Sequence, residues 1–191
     1  MYTVQCNALL RKALFAIGIL ILFLPFQAGA KEVPLEQWMP WSGDRLMVNT
    51  KENIGYLVHV DGTFTSFPVA TGQRRTVRYI GMTYFAATPE RTWKVESLEN
   101  KGKSVTFGAT GRFLRLTYGK EKTKYGIHGH RDIAVMLGSD DRYRSMGCIL
   151  VSEEVLNVLE RTFNDVGAFD VITAVKKLPP PFAADVLSRE G

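Results

Sequence analysis

The sequence has 191 residues, of which 24 are Lys or Arg and 19 are Asp or Glu, so its formal net charge is +5 at pH 7. This surplus is too small to indicate a nucleic-acid-binding protein, because the basic residues are scattered among aromatic ones and form no dense block. No internal repeat or low-complexity segment is visible. The length that remains after the N-terminal segment described next fits one domain with a single core.

The first segment, residues 1–30, is predicted to be a signal peptide. Its only charged residues, Arg11 and Lys12, are followed by the apolar run 13–25, and the segment ends in Ala-Gly-Ala at Ala30. A basic start, an apolar centre and a small-x-small end are the parts of a secretory signal. The apolar run is short for a membrane span, which leaves an uncleaved anchor as the alternative. We expect cleavage after Ala30, export to the periplasm and no stable membrane association afterwards.

A lead-in segment, 31–44, follows with two prolines and two tryptophans and no clear period, and we expect it to pack on the domain. Alternating patterns then predict strands, with a hairpin turn at Asp61-Gly62. The predicted strands are 45–49, 55–60, 64–70, 92–96, 104–107 and 113–118. His59 falls in the hairpin, where we expect it to be a strand residue with a satisfied ring.

The segment 152–163 has apolar residues at helical spacing, and the acidic residues that follow Ser152 suit a capped helix N-terminus. A last strand is predicted at 169–175. The tail, 178–191, contains three successive prolines and is predicted to be extended and exposed. The sequence therefore predicts a mainly β domain, 45–177, with one principal α-helix after the segment that carries the chemistry.

That chemistry centres on Cys148. Because Cys6 lies in the predicted signal peptide, Cys148 is the one cysteine of the mature chain. An unpaired cysteine in an exported protein indicates intermolecular pairing or a reactive thiol, and a buried small hydrophobic residue is the alternative. His128 precedes it, and an imidazole that takes the thiol proton supplies the thiolate that acyl transfer requires. Gly147 permits a sharp turn there, and the amides of Gly147 and Cys148 are candidate oxyanion donors.

Five short motifs form a set in this order: Val-Ala-Thr-Gly at 69–72, Thr-Pro at 88–89, Ile-His-Gly at 127–129, Leu-Gly at 137–138 and Ser-x-Gly-Cys-Ile at 145–149. Together they resemble the L,D-transpeptidase (YkuD-type) catalytic domain, over roughly 45–175. The Ser-x-Gly-Cys motif with its upstream His-Gly is fairly specific. The resemblance implies the fold of that domain, a β-sandwich or mixed sheet.

The resemblance also implies a reaction on peptidoglycan stem peptides. Cys148 would attack the carbonyl between the dibasic third residue of a tetrapeptide and its terminal D-alanine, which leaves a thioester. His128 would activate the thiol and then protonate the leaving amine, and Ser145 would order the loop or the imidazole. An amine of another stem or of a murein-anchored lipoprotein would resolve the thioester. No metal and no organic cofactor are expected.

One departure from the family pattern concerns Leu150, which stands where the family commonly has arginine two residues after the nucleophile. Arg142, Arg144 and Arg131 are candidates to replace that cation, because the arginine fork suits carboxylates. Each of them is equally compatible with an ordinary exposed arginine. Two alternatives stay open: a hydrolase of the same fold, such as an L,D-carboxypeptidase or a murein–lipoprotein amidase, and a non-catalytic wall-binding module.

His130 and Tyr125 are further candidate substrate-binding residues. His128, His130 and Cys148 are in principle three zinc ligands, since imidazole and thiolate both bind zinc and strand residues two apart share a face. The surrounding residues offer no second Cys or His motif, so we expect no metal. His130 is instead expected at the rim of the cleft.

Overall fold

The structure is a computed structural model that describes residues 30–79 and 81–175. The predicted signal peptide up to residue 29 and the predicted proline-rich tail, 178–191, lie outside the described residues. Within the described ranges, neither helix is long and apolar enough to span a membrane.

The described residues form twelve strands, two α-helices and one 3-10 turn. The strands are β1 (Arg45–Asn49), β2 (Ile54–Val58), β3 (Phe64–Pro68), β4 (Thr71–Gly72), β5 (Thr76–Tyr79), β6 (Met82–Phe85), β7 (Arg91–Asn100), β8 (Arg112–Tyr118), β9 (Glu121–His128), β10 (Tyr143–Ser145), β11 (Ile149–Leu150) and β12 (Phe169–Ala174). The helices are α1 (Ile133–Gly138) and α2 (Glu153–Val166), and the 3-10 turn is Leu35–Gln37.

Eight of the strands form one mixed sheet in the order β11-β9-β8-β7-β12-β1-β2-β3. Most neighbours are antiparallel, whereas β1 runs parallel to β12 and β11 runs parallel to β9. Just after β3, Ala70 exchanges two backbone hydrogen bonds with Leu150 of β11, at 2.9 and 2.8 Å. The two ends of the strand order therefore meet and the sheet is curled, which confirms the predicted mainly β fold with a mixed sheet.

Helix α2 follows the Cys148 segment directly and covers one face of the sheet. Its apolar stripe, which includes Leu156 and Leu159, is buried in the main core. The Ser152 hydroxyl accepts from the Val155 N–H at 3.3 Å, so the predicted cap is present. The helix ends at Gly167, whose φ is +82°. The predicted principal helix is thus confirmed, with its end three residues beyond the predicted one.

The lead-in segment packs on the β2–β3 hairpin through stacked rings. His59 lies between Trp38, at a centroid distance of 3.8 Å, and Trp41, at 4.5 Å. Its Nδ1 is 2.6 Å from the Asp44 carboxylate. His59 is therefore a packed structural residue with the predicted satisfied ring, but it lies just after β2 and not in the predicted strand 55–60.

Several predicted elements need correction. The predicted strand 104–107 is a turn, closed by a backbone hydrogen bond from Ser104 to Gly108, and its Val105 side chain is exposed. The β5–β6 hairpin was not predicted, because most of its residues are exposed and it carries little buried alternation. Helix α1 was missed too, since six residues without a buried side chain leave no amphipathic signal.

Candidate active site

The Cys148 loop connects β10 to β11 and lies beside the end of β9. Because β11 runs parallel to β9 with Leu150 opposite His128, the sheet brings this loop next to the histidine. The Ser145 hydroxyl donates to the Cys148 carbonyl oxygen at 2.6 Å and accepts from the Gly147 N–H at 3.0 Å. Ser145 therefore closes the loop through two hydrogen bonds.

Position 147 requires glycine. Its φ of +118° is a conformation that residues with a side chain rarely adopt. A Cβ atom at this position would lie 2.6 Å from Cε1 of Tyr125. The Tyr125 ring therefore packs directly on the backbone next to Cys148, and a side chain at 147 would displace either the ring or the loop.

The Cys148 side chain is a free thiol that lines a cavity. Burial raises the pKa of the thiol to about 11, because a desolvated thiolate is less stable than a hydrated one. A hydrogen bond with the Gly126 backbone and the positive charge of Arg115 oppose this rise in pKa. At neutral pH the resting group is consequently the protonated thiol.

His128 is buried and held by aromatic rings. Its ring stacks on Phe113 at a centroid distance of 5.4 Å and contacts the edge of Phe107 at 5.2 Å. The Nδ1 atom is 2.7 Å from the Gly129 carbonyl oxygen, and because a carbonyl only accepts, Nδ1 carries the proton. Burial lowers the pKa of His128 to about 4, and hydrogen bonds with the Gly129 and Thr106 backbone oppose part of this shift. The ring is therefore neutral at pH 7, with Nε2 unprotonated.

The Cys148 and His128 side chains line the same cavity, and both are uncharged at pH 7. Within residues 30–79 and 81–175, the Cys148 sulfur makes no hydrogen bond to the His128 ring. Catalytic hydrogen bonds are often long in unliganded enzymes and tighten when substrate binds. Their arrangement at rest is thus thiol and imidazole rather than a preformed ion pair.

The predicted oxyanion donors need a correction. The Gly147 N–H donates to the Ser145 hydroxyl at 3.0 Å, so it is already satisfied. The Cys148 N–H has no hydrogen-bond partner in the part of the chain that the structure describes. Only one of the two predicted amides is therefore free to stabilise an oxyanion.

The cavity has a volume of about 970 Å³. Its walls come from the β5–β6 hairpin, from β7 to β9, from the loop before β8, from α1 and from the Cys148 loop. Aromatic side chains dominate the walls, among them Tyr84, Trp93, Phe107, Phe113 and Tyr125. A mostly apolar cleft with a few polar groups is the usual form of a site for a small molecule or peptide.

The model of the L,D-transpeptidase catalytic domain (YkuD) family matches residues 43–163, which is more than half of the chain. The chain belongs to this family. No curated protein matches its sequence. The family match confirms the resemblance found from the motifs around His128 and Cys148.

Solved structures show the same fold. An L,D-transpeptidase from Xylanimonas cellulosilytica is 22% identical with a TM-score of 0.50, and the match covers 70% of this chain and 61% of that one. A mutant of Pgp2, a helical cell shape determining protein of Campylobacter jejuni, is 18% identical with a TM-score of 0.50, over 73% of this chain and 49% of that one. This chain thus matches about three fifths of the first structure and about half of the second.

Of the predicted substrate-binding residues of this L,D-transpeptidase domain, Tyr125, His130 and Arg144 line the cavity. The Arg144 guanidinium is engaged with its own loop, since Nε donates to the Asp141 carbonyl oxygen at 3.0 Å. Arg142 does not line the cavity. It donates to the Asn53 carbonyl oxygen at 3.2 Å, and so it links loops on the outside of the site.

His130 and Arg131 lie just after β9. The His130 Nδ1 accepts from the Asp132 N–H at 3.1 Å, which ties the ring to its own turn at the rim of the cavity. The Arg131 side chain is largely exposed and is not among the cavity residues. In the described part of the chain, no three His, Cys, Asp or Glu side chains come together as metal ligands.

The cation that acts on Cys148 is Arg115, which sequence reasoning missed. Its guanidinium makes a bidentate pair with Glu99 at 3.0 and 2.6 Å and donates to the Thr123 carbonyl oxygen at 2.8 Å. It also lies 4.5 Å from the Phe113 ring, the ring that stacks on His128. Arg115 is not among the cavity residues, but its positive charge lowers the pKa of Cys148, whereas position 150 is buried and apolar.

The β5–β6 hairpin touches the Cys148 loop. The Tyr84 hydroxyl donates to the Met146 carbonyl oxygen at 3.2 Å, and burial together with the neighbouring Tyr125 and Cys148 raises the pKa of Tyr84. This contact was missed because nothing local in the sequence links the hairpin to position 146.

Proposed function

We propose that this protein is an exported cysteine acyltransferase that acts on peptidoglycan stem peptides. The observation that carries the proposal is that Cys148 and a neutral His128 line one cavity in an L,D-transpeptidase catalytic domain. The predicted signal peptide supports export to the periplasm. The reaction needs no cofactor.

The chemistry follows from the two side chains. His128 Nε2 takes the proton of the Cys148 thiol as the sulfur attacks the carbonyl between the third residue of the stem and the terminal D-alanine. The free Cys148 N–H stabilises the oxyanion of the tetrahedral intermediate. The carbon–nitrogen bond then breaks, His128 returns the proton to the leaving D-alanine amine, and a thioester remains on Cys148.

The thioester is then attacked by an amine, which yields a cross-linked stem or an attached lipoprotein and regenerates the thiol. Attack by water instead yields a shortened stem. Leu150 in place of the family's arginine is the reason to keep the hydrolase as the second candidate. Product analysis separates the two, because transfer gives dimers and hydrolysis gives only shortened monomers or released lipoprotein.

The proposal is tested with purified protein and tetrapeptide-bearing muropeptides, with and without an added amine acceptor. We expect release of D-alanine, measured by chromatography, and loss of at least about 1,000-fold in Cys148→Ala, because nucleophile and base act as a unit. Gln73→Ala, at the edge of the Cys148 loop, serves as a folded control.

Release that continues unchanged in Cys148→Ala would overturn the covalent mechanism. No release by the wild-type protein, combined with no mass shift of Cys148 after incubation with a carbapenem, would favour the non-catalytic wall-binding module.

A further inference from the structure

Arg91 is an exposed arginine on the cavity wall whose guanidinium contacts two aromatic rings. Its Cζ lies 5.0 Å from the centroid of the Trp93 ring and 4.5 Å from that of Tyr118. The Trp93 and Tyr118 rings contact each other edge-on, with their centroids 6.4 Å apart. Trp93 is itself fixed, because its Nε1 donates to the Thr173 hydroxyl at 2.9 Å. The guanidinium is therefore positioned by contact with two rings, one of which is itself fixed.

The N–H groups of the Arg91 guanidinium are available as hydrogen-bond donors. Among the described residues it makes no ion pair and no side-chain hydrogen bond, and only its backbone bonds to Thr173. The other arginines near the site are engaged: Arg115 with Glu99 and Arg144 with Asp141. Glu121, the carboxylate that also lines the cavity, forms no ion pair with Arg91.

A row of contacts leads from Arg91 to the nucleophile. Trp93 contacts Tyr125 at a centroid distance of 5.4 Å, and Tyr125 packs on Gly147, the neighbour of Cys148. The Arg91 Cζ is consequently at most about 10 Å from the Tyr125 ring. An extended peptide spans this distance with about three residues.

We propose that Arg91 binds a carboxylate of the donor peptide. A guanidinium that contacts aromatic rings and makes no hydrogen bond keeps its N–H groups available, and they match the two oxygens of a carboxylate. Because the rings already position the guanidinium, little side-chain entropy is lost when the carboxylate binds. Along an extended peptide the carboxylate lies about three residues from the part of the chain that crosses Tyr125, the ring that packs beside Cys148. This inference rests on the proposed action on stem peptides.

The test uses the wild-type protein and Arg91→Gln with a series of tetrapeptides in which one carboxylate at a time is converted to a primary amide. We expect Arg91→Gln to lower kcat/KM for the unmodified peptide by about 10-fold or more, the effect of one charged hydrogen-bonded pair. For one amidated peptide, the kcat/KM of the wild-type enzyme should fall by the same factor of about 10 or more. With that peptide, the kcat/KM values of the wild type and Arg91→Gln should be about equal. That peptide identifies the carboxylate.

Two variants serve as controls. Lys124→Gln removes a cation from the same wall that is not a guanidinium, so its effect should be equal for all peptides. Arg91→Lys keeps the charge without the planar fork and should give an intermediate loss. Because Arg91 is exposed, its variants should unfold at the wild-type temperature.

A wild-type to Arg91→Gln ratio that is the same for every peptide would overturn the inference. If the wild-type protein releases no D-alanine from any peptide, the proposed function fails separately. In that case the same comparison is made as peptide binding to Cys148→Ala and to Cys148→Ala/Arg91→Gln by calorimetry. Equal affinities for all peptides in both proteins would overturn the carboxylate site.

Discussion

At Cys148, burial raises the pKa of the thiol and a nearby positive charge lowers it. Burial disfavours the thiolate, whereas a hydrogen bond with the Gly126 backbone and the charge of Arg115 favour it, and the balance leaves the pKa at about 11. Burial also lowers the pKa of His128, so its ring is uncharged at pH 7. In the proposed reaction the proton is therefore transferred as the sulfur attacks, and the resting thiol is protected from solvent oxidants that react with thiolates.

Arg115→Gln tests this balance. Loss of the positive charge should raise the thiol pKa further, so that alkylation of Cys148 by iodoacetamide at pH 8 becomes about 3-fold or more slower than in the wild-type protein. In the wild-type protein the alkylation rate should keep rising with pH towards about 11. Mass spectrometry of the alkylated protein over time measures the rate.

Lys101→Gln is the matched control for Arg115→Gln. Lys101 also pairs with Glu99, at 2.6 Å, so its loss disturbs the same carboxylate without removing the charge that acts on Cys148. Equal alkylation rates in the two variants would contradict the role given to Arg115.

Residues whose chemistry is local could be predicted from the sequence. Cys148 and Ser145 belong to one short motif, and the structure places His128 beside it. The surroundings of Arg115 and Arg91 could not be predicted, because they depend on which rings and carboxylates the neighbouring strands bring to these residues. Arg142 was a wrong candidate for the same reason, since closeness in sequence did not place it in the cavity.

Among the elements, α2 is fixed to the sheet by Arg112 of β8. The guanidinium contacts Glu153 at 2.7 Å, Glu160 at 2.6 Å and Asn157 at 2.8 Å. Glu153 in turn lies against Gly129, where a Cβ would be 2.9 Å from its Oε1. The start of α2 and the end of β9 are therefore held at one position, next to His128.

Arg112→Met should destabilise the protein by about 1–3 kcal/mol, because it leaves two partly buried carboxylates without their partner. The expected fall in Tm, measured by calorimetry, is roughly 3–10 °C for a domain of this size. Arg131→Met removes a largely exposed pair with Asp132 at 3.7 Å and should change stability by less than about 0.5 kcal/mol. An unchanged Tm in Arg112→Met would show that the link does not stabilise the fold.

Elements with one buried face were predicted well. Along β12, Phe169, Val171 and Thr173 are buried and alternate with less buried residues. This alternation and the apolar stripe of α2 are visible in the sequence because each element packs one face on the core. The β5–β6 hairpin and α1 contact little of the core, so neither has a buried face that a pattern of apolar residues could reveal. They are nevertheless elements that wall the active site.

For the whole molecule, His128 couples stability to pH. Its pKa is lowered from about 6.5 in the unfolded chain to about 4 in the fold, so the unfolded state binds more protons between these values. The free energy of unfolding therefore falls as the pH decreases from about 6.5 to about 4. The total loss from this one group is about 3 kcal/mol.

Urea unfolding of the wild-type protein and of His128→Gln, at several pH values from 7 to 4, measures this loss. The difference between the two proteins should shrink or reverse as the pH falls, because the variant has no proton to bind at this position. Parallel curves would show that His128 titrates normally.

The curled sheet has a consequence for how the molecule behaves among its own copies. The backbone of Phe64, at the start of β3, bonds to the lead-in residues Lys31 and Val33, and the chain just after β3 bonds to Leu150. In the described part of the chain, both ends of this outer strand are therefore already occupied. At β3 a neighbouring copy therefore finds only the middle of the strand free to pair, which disfavours the edge-to-edge pairing through this strand that leads to fibrillar aggregates.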